Sequence, residues 1–140
     1  MARRPRILVV DDSAADVRLL REAVREATIN AELHAVEDGE QALAYLRRGA
    51  ERPDLVLLDL NLPRRDGREV LEAIKNDPEL KSVPVIVLST SAAPRDVADC
   101  YALHANAYLV KPMGLDAFDA LVRALDAFWL QAAELPGRRR

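Results

Sequence analysis

Short apolar runs alternate along the chain with longer segments in which apolar residues recur at helical spacing. Four runs have the length of strands and few polar interruptions: 7–10, 55–58, 85–88 and 107–110. A continuous apolar run is typical of a strand that is covered on both faces, as in a parallel sheet. In segment 32–36 polar residues separate the apolar ones, which predicts an edge strand.

Helical patterns fill the intervals between these strands. In the first interval Val17, Leu20, Val24 and Ala27 recur at spacings of three and four, and Ser13 precedes them as a predicted N-cap. Further helices are predicted over 39–46, 66–75, 94–103 and 115–133. Five strands that alternate with five helices predict an α/β fold with right-handed crossovers.

Composition narrows the class of protein. The 140 residues are 50% hydrophobic and 31% charged, so we expect one domain over 1–140 with its core in about 5–133 and a short basic tail at 136–140. The net charge of −3 gives no reason to expect nucleic-acid binding, and no apolar run approaches the roughly 20 residues of a membrane span. The single cysteine, Cys100, excludes an internal disulfide and predicts a cytoplasmic protein.

Polar residues stand at the carboxyl ends of four predicted strands. They are Asp11 and Asp12 after the first strand, Asp59 after the third, Ser89 at the end of the fourth and Lys111 after the fifth. In a parallel sheet these ends lie along one edge, and ligands bind there at the point where the strand order reverses. We therefore expect three carboxylates, a hydroxyl and an ammonium to converge on one pocket.

The charges of these side chains indicate phosphoryl transfer. Three carboxylates at close range repel one another unless a cation joins them, and oxygen ligands of this kind suit Mg²⁺ or Mn²⁺. The metal and Lys111 would neutralise charge on a transferring group, and Ser89 would bind an oxygen of the product. His34 falls on the predicted edge strand and His104 near a helix end, so neither is a candidate nucleophile. Asp59 is the candidate instead.

Four motifs then resemble the response-regulator receiver domain of bacterial two-component signalling. They are VVDDS, LLDLNLPRRDG, VLSTS and YLVKP, with 30 residues from Asp59 to Ser89 and 22 from Ser89 to Lys111. The resemblance covers nearly the whole chain. It implies a flavodoxin-like fold, which is a doubly wound five-stranded parallel sheet in the order 2-1-3-4-5 with five helices.

The resemblance also implies a role for each residue of a Mg²⁺-dependent phosphorelay. Asp59 would accept the phosphoryl group, and Asp12 and Asp59 would be direct metal ligands. Asp11 would act on the metal through water, and Asn61 would offer its backbone carbonyl. Lys111 would pair with the phosphoryl group or with Asp59.

Three further features follow from the same resemblance. Ser89 would be the switch hydroxyl and Tyr108 the switch aromatic. The peptide bond between Lys111 and Pro112 would be cis, a state that proline makes accessible.

The chain carries no sign of an output domain, because only 29 residues follow Lys111. We therefore expect no enzymatic activity of its own and an output through protein contacts. Phe128 and Trp129 extend past the length of helix that the sheet requires. Together with Tyr108 they predict a homodimer interface on the face of the fourth helix, fifth strand and fifth helix.

A finer likeness concerns the segment DVADCYALHANAYLVKP and the terminal FW. It is similar to small stand-alone receivers that accompany bacterial phytochrome histidine kinases, and it implies a bacteriophytochrome kinase as the phosphodonor. Two alternatives compete with this interpretation. One is a phosphotransferase of the haloacid-dehalogenase type, which needs a second acid where this chain has Asn61; the other is an interaction scaffold that is not phosphorylated.

Overall fold

The computed structural model describes residues 4–48, 52–63 and 65–136. Strands and helices alternate in the following order: β1 (Arg6–Val10), α1 (Ala14–Glu26), β2 (Glu32–Val36), α2 (Gly39–Arg47), β3 (Leu55–Leu58), α3 (Gly67–Asn76), β4 (Val85–Ser89), α4 (Pro94–Ala102), β5 (Ala107–Val110), α5 (Leu115–Leu125) and a π-helical segment (Asp126–Ala132). Every strand predicted from an apolar run is present within one residue of its predicted ends. Most of the predicted basic tail, 137–140, lies outside the described residues.

The five strands form one parallel sheet in the order β2-β1-β3-β4-β5, which confirms the predicted fold class. The strand order reverses at β1, since β2 lies on one side of it and β3 on the other. A ligand crevice is expected beside the carboxyl ends of β1 and β3 for this reason. The register aligns Val10 with Leu58, so the residues that follow them, Asp11 and Asp59, emerge side by side.

Two hydrophobic cores cover the sheet. The core beneath α2, α3 and α4 takes Leu8 and Val10 from β1, whereas the core beneath α1 and α5 takes Ile7 and Val9. This alternation follows from the period of two along a strand. Because β1, β3 and β4 are buried on both faces, their sequences read as uninterrupted apolar runs.

The carboxyl-terminal helix differs in type from its prediction. A single helix over 115–133 was expected, but α5 ends at Leu125 and a π-helical segment continues to Ala132. Trp129 is half-buried and packs against the α1–α5 core, while the Phe128 side chain is 57% exposed. Their rings meet edge to face with centroids 5.2 Å apart. In the described part of the chain, none of the helices is both long and apolar enough to cross a bilayer.

Candidate functional site

Backbone hydrogen bonds continue the sheet beyond β1 and β3 and hold two carboxylates next to each other. The amide of Asp11 donates to the carbonyl of Val36 at 3.0 Å, and the amide of Asp59 donates to the carbonyl of Val10 at 2.9 Å. Both residues are buried, at 6% exposure each. The rigid sheet therefore fixes where these carboxylates lie.

Asp12 completes an acidic cluster with Asp11 and Asp59. One carboxylate oxygen from each of the three residues lies within 4.8 Å of the other two. Burial raises the pKa of Asp11, although hydrogen bonds from Lys111 and the Ser13 amide oppose the rise. Asp12 is exposed, which leaves the cluster open to water. Oxygen donors with access to water are the ligands that Mg²⁺ and Mn²⁺ prefer, so the cluster fits a divalent cation.

The Lys111 ammonium lies among three carboxylates. Its Nζ atom is 2.9 Å from Asp11 Oδ2, 3.1 Å from Asp59 Oδ2 and 2.8 Å from Asp16 Oδ2. Burial opposes the charged form, but hydrogen bonds to Asp16 and Asp11, with the charges of Asp11 and Asp59, outweigh it and raise the pKa of Lys111. Lys111 is therefore charged at neutral pH. Asp16 was absent from the predicted site; its position in the first turn after the Ser13 N-cap was the only signal for it.

Ser89 and Tyr108 converge on the same backbone segment. Ser89 is fully buried at the end of β4, and its Oγ accepts a hydrogen bond from the Ser91 amide at 3.2 Å. The Tyr108 hydroxyl donates to the Ser91 carbonyl at 2.8 Å, and its half-buried ring packs against the core beneath α2, α3 and α4. Ser91 thus contacts both residues for which the family resemblance implies a switch role.

An ion-paired network that the sequence did not predict extends from this segment. The Ser91 hydroxyl donates to Asp96 Oδ2 at 2.5 Å, and Arg68 pairs with Asp96 Oδ1 at 2.5 Å. The network ties the loop after β4 to both α3 and α4. No local sequence pattern predicts this network, because Arg68 and Asp96 are 28 positions apart.

Asn61 and Pro112 lie in the loops beside the pocket. Asn61 is exposed, and its amide donates to Asp59 Oδ1 at 3.1 Å. The predicted cis bond before Pro112 is wrong, because the described residues contain no cis peptide bond. Peptide bonds before proline prefer the trans form by about 0.5–1 kcal/mol. With the trans bond, Lys111 contacts the carboxylates of Asp11, Asp16 and Asp59.

This fold and this acidic site define a class of signalling protein. The chain belongs to the response regulator receiver domain family, whose profile matches residues 7–123. Response regulator Rcp1 of Synechocystis sp. is 47% identical over 135 residues, which cover 93% of this chain and 92% of Rcp1. Membership in this family argues against the haloacid-dehalogenase alternative.

Two solved structures are similar over almost the entire chain. The phosphorylated cyanobacterial phytochrome response regulator RcpA has a TM-score of 0.89 and 47% identity, and the match covers 96% of this chain and 99% of RcpA. The Mn²⁺-bound form of response regulator Rcp1 has a TM-score of 0.86 and 45% identity, with 95% and 99% covered. The chain is therefore a receiver domain of two-component signalling, similar to Rcp1 and RcpA.

Proposed function

We propose that this receiver takes a phosphoryl group from a histidine kinase onto the carboxylate of Asp59. The observation that carries the proposal is the position of Asp59, which is buried within the acidic cluster and lies 3.1 Å from the Lys111 ammonium. A buried carboxylate with a cation beside it is a nucleophile whose product charge is already compensated. The second alternative, an unphosphorylated scaffold, gives no reason for the three carboxylates of the acidic cluster and the Lys111 ammonium to converge.

The chemistry assigns a step to each side chain. An oxygen of Asp59 attacks phosphorus and forms a P–O bond, while the P–N bond to the kinase histidine breaks and the imidazole keeps its electron pair. Lys111 neutralises charge on the incoming phosphoryl oxygens. When bound by Asp12, Asp59 and the Asn61 carbonyl, with Asp11 acting through water, Mg²⁺ or Mn²⁺ would supply further neutralisation. The Mn²⁺-bound structure of Rcp1 supports a divalent cation at this cluster.

Phosphorylation would then alter the segment around Ser91. It adds a charge of about −1.5 to −2 and three acceptor oxygens at the carboxyl edge of the sheet, where β4 ends at Ser89. The Ser89 hydroxyl hydrogen is available to donate to one of these oxygens, and its movement would withdraw Oγ from the Ser91 amide. Tyr108, which holds the Ser91 carbonyl, would respond to that change. We infer a shift between two existing populations, read out by protein contacts.

The phosphodonor in this proposal is a phytochrome-like histidine kinase that acts in the cytoplasm. Likeness to RcpA, a phytochrome response regulator by name, supports this choice. Exposed apolar side chains stand close in sequence to the pocket residues, namely Ala14 and Ala15 at the start of α1 and Met113 after β5, and we expect a kinase helix to pack there. The unpaired Cys100 is consistent with a reducing compartment.

Phosphotransfer profiling tests both the acceptor role and the donor. A photoreceptor histidine kinase and several unrelated kinases, each already carrying labelled phosphate, are mixed with equal amounts of this protein and Mg²⁺. We expect label to move at least about tenfold faster from the photoreceptor kinase, because steric and electrostatic fit at the docking surface governs transfer. Equal rates would reject the phytochrome pairing. The absence of transfer from every kinase would reject phosphoryl acceptance itself.

We also propose a homodimer that forms on the surface around β5 and α5. An apolar groove of about 440 Å³ lies there, lined by Ala107, Leu109, Val110, Ala120, Leu121, Ala124, Leu125, Phe128 and Trp129. Val110 and Phe128 are 49% and 57% exposed, so apolar area remains for a partner to cover. Tyr108, the third residue of the predicted interface, does not line the groove; its ring packs against the core beneath α2, α3 and α4. Two-fold symmetry is the commonest way to cover such a patch.

Charge substitution in the groove tests the homodimer. Phe128→Glu combined with Trp129→Glu should convert a dimer into monomers at tens of micromolar, because two carboxylates per protomer would lose their hydration in the interface. Sedimentation velocity measures the change. Met113→Glu, which alters a side chain 92% exposed outside the groove, is the matched control and should leave the dimer intact. Unsubstituted protein that stays monomeric with and without a phosphate mimic contradicts the proposal.

A further inference from the structure

All three hydrogens of the Lys111 ammonium have carboxylate acceptors. The acceptors are Asp16 at 2.8 Å, Asp11 at 2.9 Å and Asp59 at 3.1 Å. The lysine side chain is only 6% exposed, so it is largely shielded from water. The three acceptors together decide where the ammonium lies relative to Asp59.

Asp16 differs from the other two acceptors because it is not part of the acidic cluster, which consists of Asp11, Asp12 and Asp59 in the described part of the chain. It lies in the first turn of α1, where its amide donates to the Ser13 N-cap at 3.2 Å. The cap fixes the helix start, and the helix start aims this carboxylate at the pocket. Asp11 and Asp59, in contrast, are drawn toward any cation that the cluster binds.

We propose that Asp16 is a positioning residue that holds the Lys111 ammonium beside Asp59 during phosphoryl transfer, an inference that depends on the proposed acceptor role of Asp59. As the new P–O bond forms on Asp59 and the leaving group departs with its electron pair, one N–H of Lys111 exchanges a carboxylate oxygen for a phosphoryl oxygen. Asp16 keeps the ammonium in reach throughout this exchange. Without it, the flexible four-carbon chain of Lys111 retains only acceptors that the cation also engages.

Spectroscopy on the unphosphorylated protein tests the contact itself. The sequence contains only three lysines, Lys75, Lys81 and Lys111, so ¹⁵N spectra of the side-chain ammonium groups are simple to assign. In Asp16→Ala we expect the Lys111 signal to broaden as its hydrogens exchange faster with water. Asp16→Asn, which keeps a neutral acceptor oxygen, should restore part of the signal. Lys75 donates to the carbonyls of Lys81 and Val83 and to Asn106, and it serves as an unchanged internal reference.

Kinetics test the role in transfer. Labelling by acetyl phosphate with Mg²⁺ should be about tenfold slower in Asp16→Ala and within about threefold of the unsubstituted rate in Asp16→Asn. Glu26→Ala removes an exposed carboxylate from the far end of the same helix and should leave the rate unchanged. Asp16→Ala that labels as fast as Glu26→Ala, or leaves the Lys111 signal unaltered, overturns the positioning role alone. Unsubstituted protein that takes up no label overturns the acceptor role of Asp59 and this inference with it.

Discussion

Asp59→Asn protein should take up no phosphoryl group from acetyl phosphate or from a kinase, yet fold like the unsubstituted chain. The amide lacks the anionic oxygen that attacks phosphorus, whereas its size is nearly the same. Its single oxygen can still accept one of the two hydrogen bonds that now go to the carboxylate of Asp59, from Lys111 to Oδ2 and from the Asn61 amide to Oδ1. Removal of one negative charge from the acidic cluster should also leave stability equal or slightly higher.

Intact-mass measurement and circular dichroism check these two expectations. Asp54→Asn is the matched control, because Asp54 is a buried carboxyl at the opposite end of β3 that accepts a hydrogen bond from the Arg6 amide. The control should retain one phosphoryl group per chain. Excess EDTA should prevent labelling of the unsubstituted protein, since the acidic pocket repels an anionic donor when no cation is present. Label on the Asp59→Asn variant, or labelling that EDTA does not diminish, would falsify the assignment.

Gly67→Ala should cost about 3 kcal/mol of unfolding free energy and displace the phosphoacceptor. A Cβ atom at Gly67 would lie 2.4 Å from the carbonyl oxygen of Asp59 and 2.6 Å from Cα of Leu60. The Gly67 amide also donates to the Leu60 carbonyl at 2.9 Å, so the start of α3 rests directly on the chain that leaves β3. Both atoms that would clash belong to the backbone and cannot rotate away.

Alanine substitutions at two other glycines distinguish a backbone clash from a side-chain clash and from backbone strain alone. At Gly39 the nearest obstacle is Val70 Cγ2, 2.5 Å from an added Cβ, and a side chain can partly rearrange. At Gly114, where φ is 85°, no atom lies within 4 Å, so alanine would meet only backbone strain of about 1 kcal/mol. Urea denaturation should rank Gly67→Ala as the most destabilising of the three, with slower acetyl phosphate labelling. A Gly67→Ala loss no larger than that of Gly114→Ala would refute the backbone clash.

The sheet and the main pocket residues could be predicted because they depend on local patterns. Burial on both faces produces apolar runs such as Leu55–Leu58, and a polar residue directly after such a run must lie at the carboxyl edge of the sheet. The predicted N-cap, Ser13, likewise needs only the amide of Asp16 three residues later. These features required no knowledge of how distant segments meet.

The predictions were incomplete where two distant elements decide a local outcome. The π-helical form of Asp126–Ala132 has no signature in a pattern that reads equally well as an α-helix. The trans bond before Pro112 was missed because the resemblance, and not the geometry of this chain, supplied the expectation. The ion pair of Arg68 with Asp96 depends on how α3 and α4 lie relative to each other.

The residue pattern alone determines the α/β class and the order of the elements. It also predicts that Asp11, Asp12 and Asp59 converge with Lys111. Both follow because hydrophobic period and position at a strand end are properties of neighbouring residues. Tertiary packing decides which groups share the ammonium of Lys111, and it adds Asp16 from the first turn of α1. Asp11 and Asp16 are near each other in sequence, but Asp59 follows β3 and Lys111 follows β5, 52 positions further along the chain. Distances of about 3 Å between such groups exist only after the sheet and its helices have assembled, so no local pattern can encode them.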